Sequence, residues 1–291
     1  MRITTSMLQQ SVLDAVQANL QRIAAAQDQV SSGKRITRAS DDPVAAAQII
    51  RTSQDLDALT QVQRNVTAAQ TRVSAEDSVL SQLGDLVTRA QELAVEQSSG
   101  TATAATRSGT KAEVDTLIAQ VVQLGNTRVG DEYVFGGAQT AVAPFQANGA
   151  YVGDDTERTA AIGPGVYAAT THTGSALLVD SGVLPALQAL SAALAGGSGD
   201  AVGATASSLQ QAGQQVQALV ADIGARSNQL DTAAQNASAL TANLTARRST
   251  LQDADIATSS TELMAAQTSL QAALLAASRV LPTSLVSYLT Q

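Results

Sequence analysis

The sequence predicts a mainly α-helical, elongated protein with a small β-rich insert near the middle of the chain. Two long segments repeat an apolar residue at every seventh position, which is typical of helices that pack along a seam. The stretch between them instead holds glycine, proline and most of the aromatic residues. Aromatic residues make up only 2% of the 291 residues, so a bulky globular core is not expected, although alanine-rich helices can pack closely.

The first long helix is predicted to begin at Pro43. Asp42 is a good N-cap, and a proline in the first turn has no amide hydrogen to leave unpaired. The helical pattern continues to about Ser98. At 1.5 Å per residue such a helix would be roughly 80 Å long, so we expect a rod. Its seam residues are Leu59, Val66, Val73, Leu80 and Val87.

The second long helix follows the insert. Its seam residues are Leu209, Val216, Ile223, Leu230 and Leu244. Arg226 interrupts the row of apolar residues three positions after Ile223. Because the insert separates the two seams, they can pair only if the chain doubles back into antiparallel, coiled-coil-like helices. The flanking positions hold Gln, Ala, Ser and Thr instead of charges, which favours contacts with neighbouring subunits over a free coiled-coil scaffold or signalling protein.

The two ends of the chain are predicted to form paired helices. The first should end before Gly33, which suits the left-handed position after a helix. Its apolar residues are Leu13, Val16, Leu20, Ile23 and Val30. The apolar stripe of the last helix contains Leu263, Leu270, Leu274 and Leu281. Short isolated helices are marginally stable in water, so each end should need the other end, or another copy of the chain, as a partner.

The central insert is predicted to contain short strands. From residue 133 to about residue 179, helical periodicity gives way to glycine, proline, threonine and aromatic residues, as expected for strands joined by tight turns. The chain should therefore have three parts. Residues 1–38 and 252–291 would form a terminal helical part, residues 39–132 and 183–251 a long helical part, and residues 133–182 the β-rich insert.

No residue pattern predicts catalysis, a cofactor or a metal site, so we expect a protein that is not an enzyme. The chain has no Cys and one His. His172 lies in a Thr- and Gly-rich stretch, where a surface position is expected and no other metal ligands are evident. Asp253 and Asp255 are explained as helix-capping residues. A net charge of −8 and the lack of a long apolar stretch argue against binding to nucleic acid or a membrane.

A polar turn joins the first two predicted helices. Its charged residues are Lys34, Arg35, Arg38, Asp41 and Asp42. From the residues alone, a solvated and capped turn is the simpler interpretation, and no chemistry is indicated.

Five segments carry a family resemblance. They are residues 31–49 (SSGKRITRASDDPVAAAQI), 126–137 (NTRVGDEYVFGG), 223–231 (IGARSNQLD), 251–257 (LQDADIA) and 284–289 (SLVSYL). They resemble, in the same order, segments of the bacterial flagellin superfamily, and most of all its hook-associated protein 3 branch. The helical motifs are shared with flagellin, whereas the SDDP proline, the YVFGG segment and the SLVSYL ending are similar to the junction branch. Ser287 departs from that branch, which often has an acidic residue there.

The resemblance implies a structural adaptor that joins the flagellar hook to the filament and transmits torque, with flagellin itself as the alternative. It implies an inner tube lined by the terminal helices, self-association in a ring, and hook-associated protein 1 and flagellin as axial neighbours. It also implies type III export to the extracellular flagellum, with a cytosolic export chaperone at the C-terminal helix. For the polar turn, it favours a contact between subunits.

Overall fold

The computed structural model describes residues 5–99 and 102–289, with side chains at residue 7, at 10–99 and at 102–278. The helices are α1 (Thr5–Ser32), α2 (Pro43–Ser98), α3 (Ala104–Gly125), α4 (Val183–Gly196), α5 (Gly199–Gln252) and α6 (Ile256–Leu289). The strands are β1 (Arg128–Val129), β2 (Glu132–Tyr133), β3 (Thr159–Gly163) and β4 (Val166–Ala169), and a π-helix spans Ser175–Asp180. The protein is 75% helical, which confirms the predicted mainly α-helical class. Within the described residues, no helix is both long and apolar enough to cross a membrane.

The chain folds into two compact units. The terminal unit contains Met1–Ala58 and Leu240–Gln291, and the central unit contains Leu59–Ala239. The three-part division expected from the sequence stays a prediction.

The ends of the long helices follow from local chemistry. Asp42 Oδ1 accepts a hydrogen bond from the Ala45 amide at 3.0 Å, which caps α2 as predicted. Gly33 follows α1 with φ of +67°, a conformation that glycine adopts without steric cost. At the start of α6, Asp255 Oδ1 accepts from the Ala257 amide at 2.9 Å. These three positions were predictable because each depends on residues within four positions of one another.

In the central unit, α2 and α5 pack in antiparallel directions. Gln91 Nε2 donates to Leu209 O at 3.0 Å, and Gln70 Nε2 donates to Asp231 Oδ1 at 2.7 Å. The later residue of α2 therefore contacts the earlier residue of α5, and the reverse, as expected for antiparallel helices. The predicted seam residues that share one buried cluster here are Val66, Val73, Leu80, Val87, Leu209, Val216, Ile223 and Leu230. Leu59 is also buried, whereas Leu244 is half-buried.

Buried Arg107 of α3 ties together helix ends of the central unit. Its Nε donates to Gln97 O at 3.3 Å and its Nη1 donates to Gly197 O at 2.7 Å. These carbonyls lie at the C-terminal ends of α2 and α4, where the helix dipoles place partial negative charge. The guanidinium group therefore satisfies acceptors that the helices cannot pair themselves.

We expect Arg107→Met to destabilise the central unit. The buried Gln97 carbonyl left without a donor would cost about 1–3 kcal/mol, and urea unfolding followed by circular dichroism would measure the loss. Arg89→Met is the matched control, because Arg89 lies on the exposed side of α2 and bonds Glu113 and Glu92 there. Equal midpoints for the two variants would show that Arg107 does not hold the helix ends.

The insert contains fewer strand residues than the sequence predicts. Two antiparallel hairpins form, β1 with β2 and β3 with β4. The prediction of strands up to about residue 179 is wrong, because Ser175–Asp180 is a π-helix. Leu177 and Leu178 lie in this segment and are fully buried in the central core. Burial on more than one side, which a helix allows and a half-exposed strand does not, explains the difference.

Close aromatic packing fixes the start of that π-helix. The rings of Phe145 and Tyr151 have centroids 5.2 Å apart. A Cβ atom at Gly174 would lie 2.6 Å from the Tyr151 ring and 2.7 Å from the Phe145 ring. Only glycine fits at this position, so the aromatic pair can seat directly against the backbone.

Candidate functional site

The candidate site is the helix pair α1–α6 of the terminal unit, where small side chains make the contact. Asn19 and Ala26 of α1 are buried, as are Ser259 and Ala266 of α6. Ser259 Oγ lies 3.4 Å from Gln29 Oε1. These small residues are the most buried of the pair's described side chains, and they allow the two helix axes to approach each other closely.

Where their side chains are described, the predicted apolar residues of this pair are half-buried or exposed. Leu13, Leu20 and Leu274 expose 54%, 51% and 51% of their surface. The half-buried members of the predicted set are Val16, Ile23, Val30, Leu263 and Leu270. The side chain of Leu281 lies outside the described residues. Met264 and Leu275 are also exposed, at 68% and 64%, and the sequence analysis did not single them out, because they fall outside the main stripe. We call Leu13, Leu20, Met264, Leu274 and Leu275 the leucine surface.

The polar turn between α1 and α2 contacts the connection between α5 and α6 in the terminal unit. Lys34 and Asp253 form an isolated antiparallel bridge. The Arg35 amide donates to Gln252 O at 2.7 Å, and Arg35 Nη2 donates to Leu251 O at 2.9 Å. The α1–α2 turn is thus bonded to the end of α5.

The acidic residues of the turn also bond within the chain. Asp41 Oδ2 accepts from the Arg38 amide at 2.8 Å and from the Thr37 amide at 3.1 Å, and these bonds hold the pKa of Asp41 below its usual value. Asp42 caps α2, and Arg38 lies 3.9 Å from Asp28. These bonds fit a capped turn, and a contact of this turn between subunits stays a prediction.

His172 lies inside the central unit, so the expectation of a surface position is wrong. Its side chain is 9% exposed, and its Nδ1 lies 2.7 Å from Oε1 of the fully buried Glu76. The His172 amide also donates to Glu76 Oε2 at 3.1 Å. One signal could have indicated this burial. Glu76 is three residues after Val73, on the apolar side of the first seam, where a carboxylate needs a hydrogen-bonding partner.

Arg226, the residue that interrupts the second seam, completes this polar cluster. Its Nε donates to Asp222 Oδ2 at 2.6 Å, and its Nη2 donates to Glu157 Oε1 at 3.1 Å. Burial opposes the positive charge, but the two carboxylates outweigh it and raise the pKa of Arg226. The cluster therefore links the insert to α2 and α5 through charged groups. Across the described residues, no group of three or more His, Asp or Glu side chains could hold a metal ion.

A second charged contact fastens the insert to α2. Glu132 Oε2 accepts from Arg158 Nη2 and from Arg72 Nη2, both at 3.0 Å. The bond from Arg158, more than that from Arg72, lowers the pKa of Glu132 below its usual 4.5.

This lowered pKa predicts a contribution to acid denaturation. A carboxyl whose pKa falls on folding stabilises the folded state above its unfolded pKa, and that contribution disappears as the pH drops through the folded-state pKa. We therefore expect the melting temperature to fall less steeply below pH 4.5 in Glu132→Gln than in the unchanged protein. Melting curves recorded between about pH 3 and pH 6 would test this, and equal slopes would contradict it.

Comparison with known proteins places this helical arrangement in a family. The bacterial flagellin N-terminal helical region matches residues 3–140, and the bacterial flagellin C-terminal helical region matches residues 207–289. The chain belongs to the bacterial flagellin family. The first match includes α1 and α2, and the second includes most of α5 together with α6. Most of the insert, α4 and the start of α5 lie between the two matches.

Individual relatives are flagellar structural proteins. The chain is 33% identical over 177 residues to flagellar hook-associated protein 3 of Salmonella typhimurium, covering 60% of this chain and 56% of that one. It is 36% identical over 155 residues to flagellar hook-associated protein 3 of Escherichia coli, covering 53% and 49%. These matches span about half the length of each curated relative. The flagellar hook-associated protein-3 structure from Legionella pneumophila has the same fold, with a TM-score of 0.61, 15% identity, and 70% and 98% coverage.

Proposed function

We propose that this protein is a structural adaptor of the bacterial flagellum that joins the hook to the filament. The observation that carries the proposal is the leucine surface of the terminal unit, in a chain of the flagellin family. Exposed apolar side chains, here on the paired helices α1 and α6, are typical of protein–protein contacts. The similarity to hook-associated protein 3 supports the junction as the place of assembly.

Assembly would supply what the isolated terminal unit lacks. Burying one leucine side chain contributes about 1.5–3 kcal/mol. The small-residue contact between α1 and α6 leaves half or more of Leu13, Leu20 and Leu274 in water. Packing these leucines against neighbouring subunits would therefore stabilise both the assembly and the helices that carry them.

The partners follow from the proposed position. One face of a ring of these subunits would meet hook-associated protein 1, and the other would meet flagellin. The polar turn would add contacts within the ring. Before assembly, a cytosolic export chaperone would cover the C-terminal helix, because an exposed amphipathic helix suits a helix-binding groove. Export through the flagellar type III apparatus would then place the protein in the extracellular flagellum.

The long helices would carry the torque between hook and filament. The antiparallel contact of α2 with α5, with its row of buried residues, suits a coiled-coil-like rod that resists bending. The terminal helices would form the inner layer, the long helices the middle layer, and the insert the outer layer. No step of this function requires an enzymatic activity.

A strain that lacks the protein tests the proposal. We expect intact hooks, no attached filaments, and unpolymerised flagellin in the culture medium. Filaments of normal length in that strain would contradict a junction role. Loss of flagellin from both the cell surface and the medium would also contradict it, since that is the result expected if the chain is itself the flagellin.

A further inference from the structure

One nitrogen of the only histidine faces two partners of opposite character. His172 Nε2 lies 3.0 Å from Asp222 Oδ2 and 3.2 Å from Arg226 Nη2. An ionised carboxylate can only accept a hydrogen bond, whereas a guanidinium group can only donate one. The other ring nitrogen, Nδ1, lies 2.7 Å from Glu76 Oε1.

We propose that His172 is a latch that keeps the insert bonded to α2 and α5 in both protonation states of the imidazole ring. Nδ1 holds its proton and donates it to Glu76. Nε2–H donates to Asp222 when the ring is protonated, and bare Nε2 accepts from Arg226 when the ring is neutral. The latch consists of His172 together with Glu76, Asp222 and Arg226.

Burial fixes the first half of the latch. Glu76 is fully buried, and its two oxygens face the amide and the ring Nδ1 of His172. A buried carboxylate without a donor is costly, so the neutral ring is held in the tautomer that carries its proton on Nδ1. That tautomer leaves a lone pair on Nε2, directed to the side where Arg226 lies.

The second half depends on the spacing of two residues on α5. Asp222 and Arg226 are one helical turn apart, and Arg226 Nε donates to Asp222 Oδ2 at 2.6 Å. This bond keeps an acceptor and a donor beside Nε2 at the same time. Glu157 of the insert also forms an ion pair with Arg226. The pKa of Arg226 is raised, so its guanidinium group stays protonated and remains a hydrogen-bond donor.

The remaining charged groups around the latch are already paired. Glu132 of β2 is bonded to Arg158 of the insert and to Arg72 of α2. The charges that face the imidazole ring are therefore those of Glu76 from α2 and of Asp222 and Arg226 from α5. None of them has to move for the ring to gain or lose a proton.

This arrangement predicts how the dependence of stability on pH changes in two variants. In Asp222→Asn the protonated ring loses its carboxylate acceptor, so the folded chain binds the proton less readily than before. The slope of stability against pH should therefore become more positive than in the unchanged protein. In Arg226→Met the neutral ring loses its donor and faces a carboxylate, so the slope should become more negative. The range to measure is pH 5.5 to pH 8, over which an imidazole side chain in general gains and loses its proton.

Melting temperatures measured across that range test the proposal. We expect the two slopes to differ from that of the unchanged protein in opposite directions, with changes of about 2–4 °C for each kcal/mol in a unit of this size. Differences in the same direction, or curves parallel to that of the unchanged protein, would overturn the latch.

A second measurement does not depend on whether the variants fold. Because the chain has one histidine, ¹⁵N labelling of histidine gives a single pair of imidazole signals in a nuclear magnetic resonance spectrum. We expect Nδ1 to stay protonated throughout, and Nε2 to lose its proton with rising pH while the backbone amide spectrum of the unchanged protein persists. A neutral ring with its proton on Nε2, or loss of the folded spectrum as the ring titrates, would overturn the proposal.

Discussion

A strain that carries Leu20→Asp should secrete the protein but fail to grow filaments of normal length. Leu20 is half exposed in the described structure, so a carboxylate there meets water and should leave the melting temperature of the purified protein nearly unchanged. In the proposed assembly, the same carboxylate would be enclosed among apolar neighbours, at a desolvation cost of several kcal/mol. Because every copy in the ring carries the change, the penalty repeats at each contact.

Ala18→Asp is the matched control for that experiment. Ala18 is also exposed, but it lies on the opposite side of α1 from Leu20. The amount of each variant in the culture medium must be measured together with filament length, since a block in export would also prevent filament growth. Normal filaments on secreted Leu20→Asp would remove this side of α1 from the assembly contact.

Ile223→Asp should cause the largest loss of stability in the central unit. Ile223 is 1% exposed and belongs to the buried cluster between α2 and α5. The change removes about 1.5–3 kcal/mol of apolar burial and adds an unpaired carboxylate beside Asp222, which bonds Arg226. We expect unfolding, or a melting temperature lowered by many degrees, when helicity is followed by circular dichroism.

Gln217→Ala gives the comparison for Ile223→Asp. Gln217 lies on the exposed side of α5, and alanine favours helix formation, so its melting curve should match that of the unchanged protein. If both variants melt like the unchanged protein, the buried contact of α2 with α5 is wrong.

The helices and their ends could be predicted from the sequence because they depend on local chemistry. Asp42, Pro43 and Gly33 act on backbone groups within a few residues, and the structure confirms where α1 ends and where α2 begins. The apolar repeat likewise identifies the buried side of α2 and α5, since a helix places every seventh residue on one face.

The position of His172 could not be predicted in this way, because its environment comes from residues far along the chain. Glu76 precedes it by 96 residues and Arg226 follows it by 54. Both interrupt apolar seams, and that irregularity is the only trace of the contact in the sequence.

The residues that make the α1–α6 contact were difficult to predict for a different reason. Leucine is the more obvious core residue, yet Ala26 and Ala266 are more deeply buried than any predicted leucine of the pair whose side chain is described, because small residues allow a closer approach.

The position of the protein along a native flagellum tests the central claim most directly. Antibodies against the purified chain, coupled to gold and viewed by electron microscopy, would show where it assembles. A junction protein should be labelled in one narrow band where the hook meets the filament, and nowhere else. Label distributed along the whole filament, or absent from the flagellum, would contradict the account.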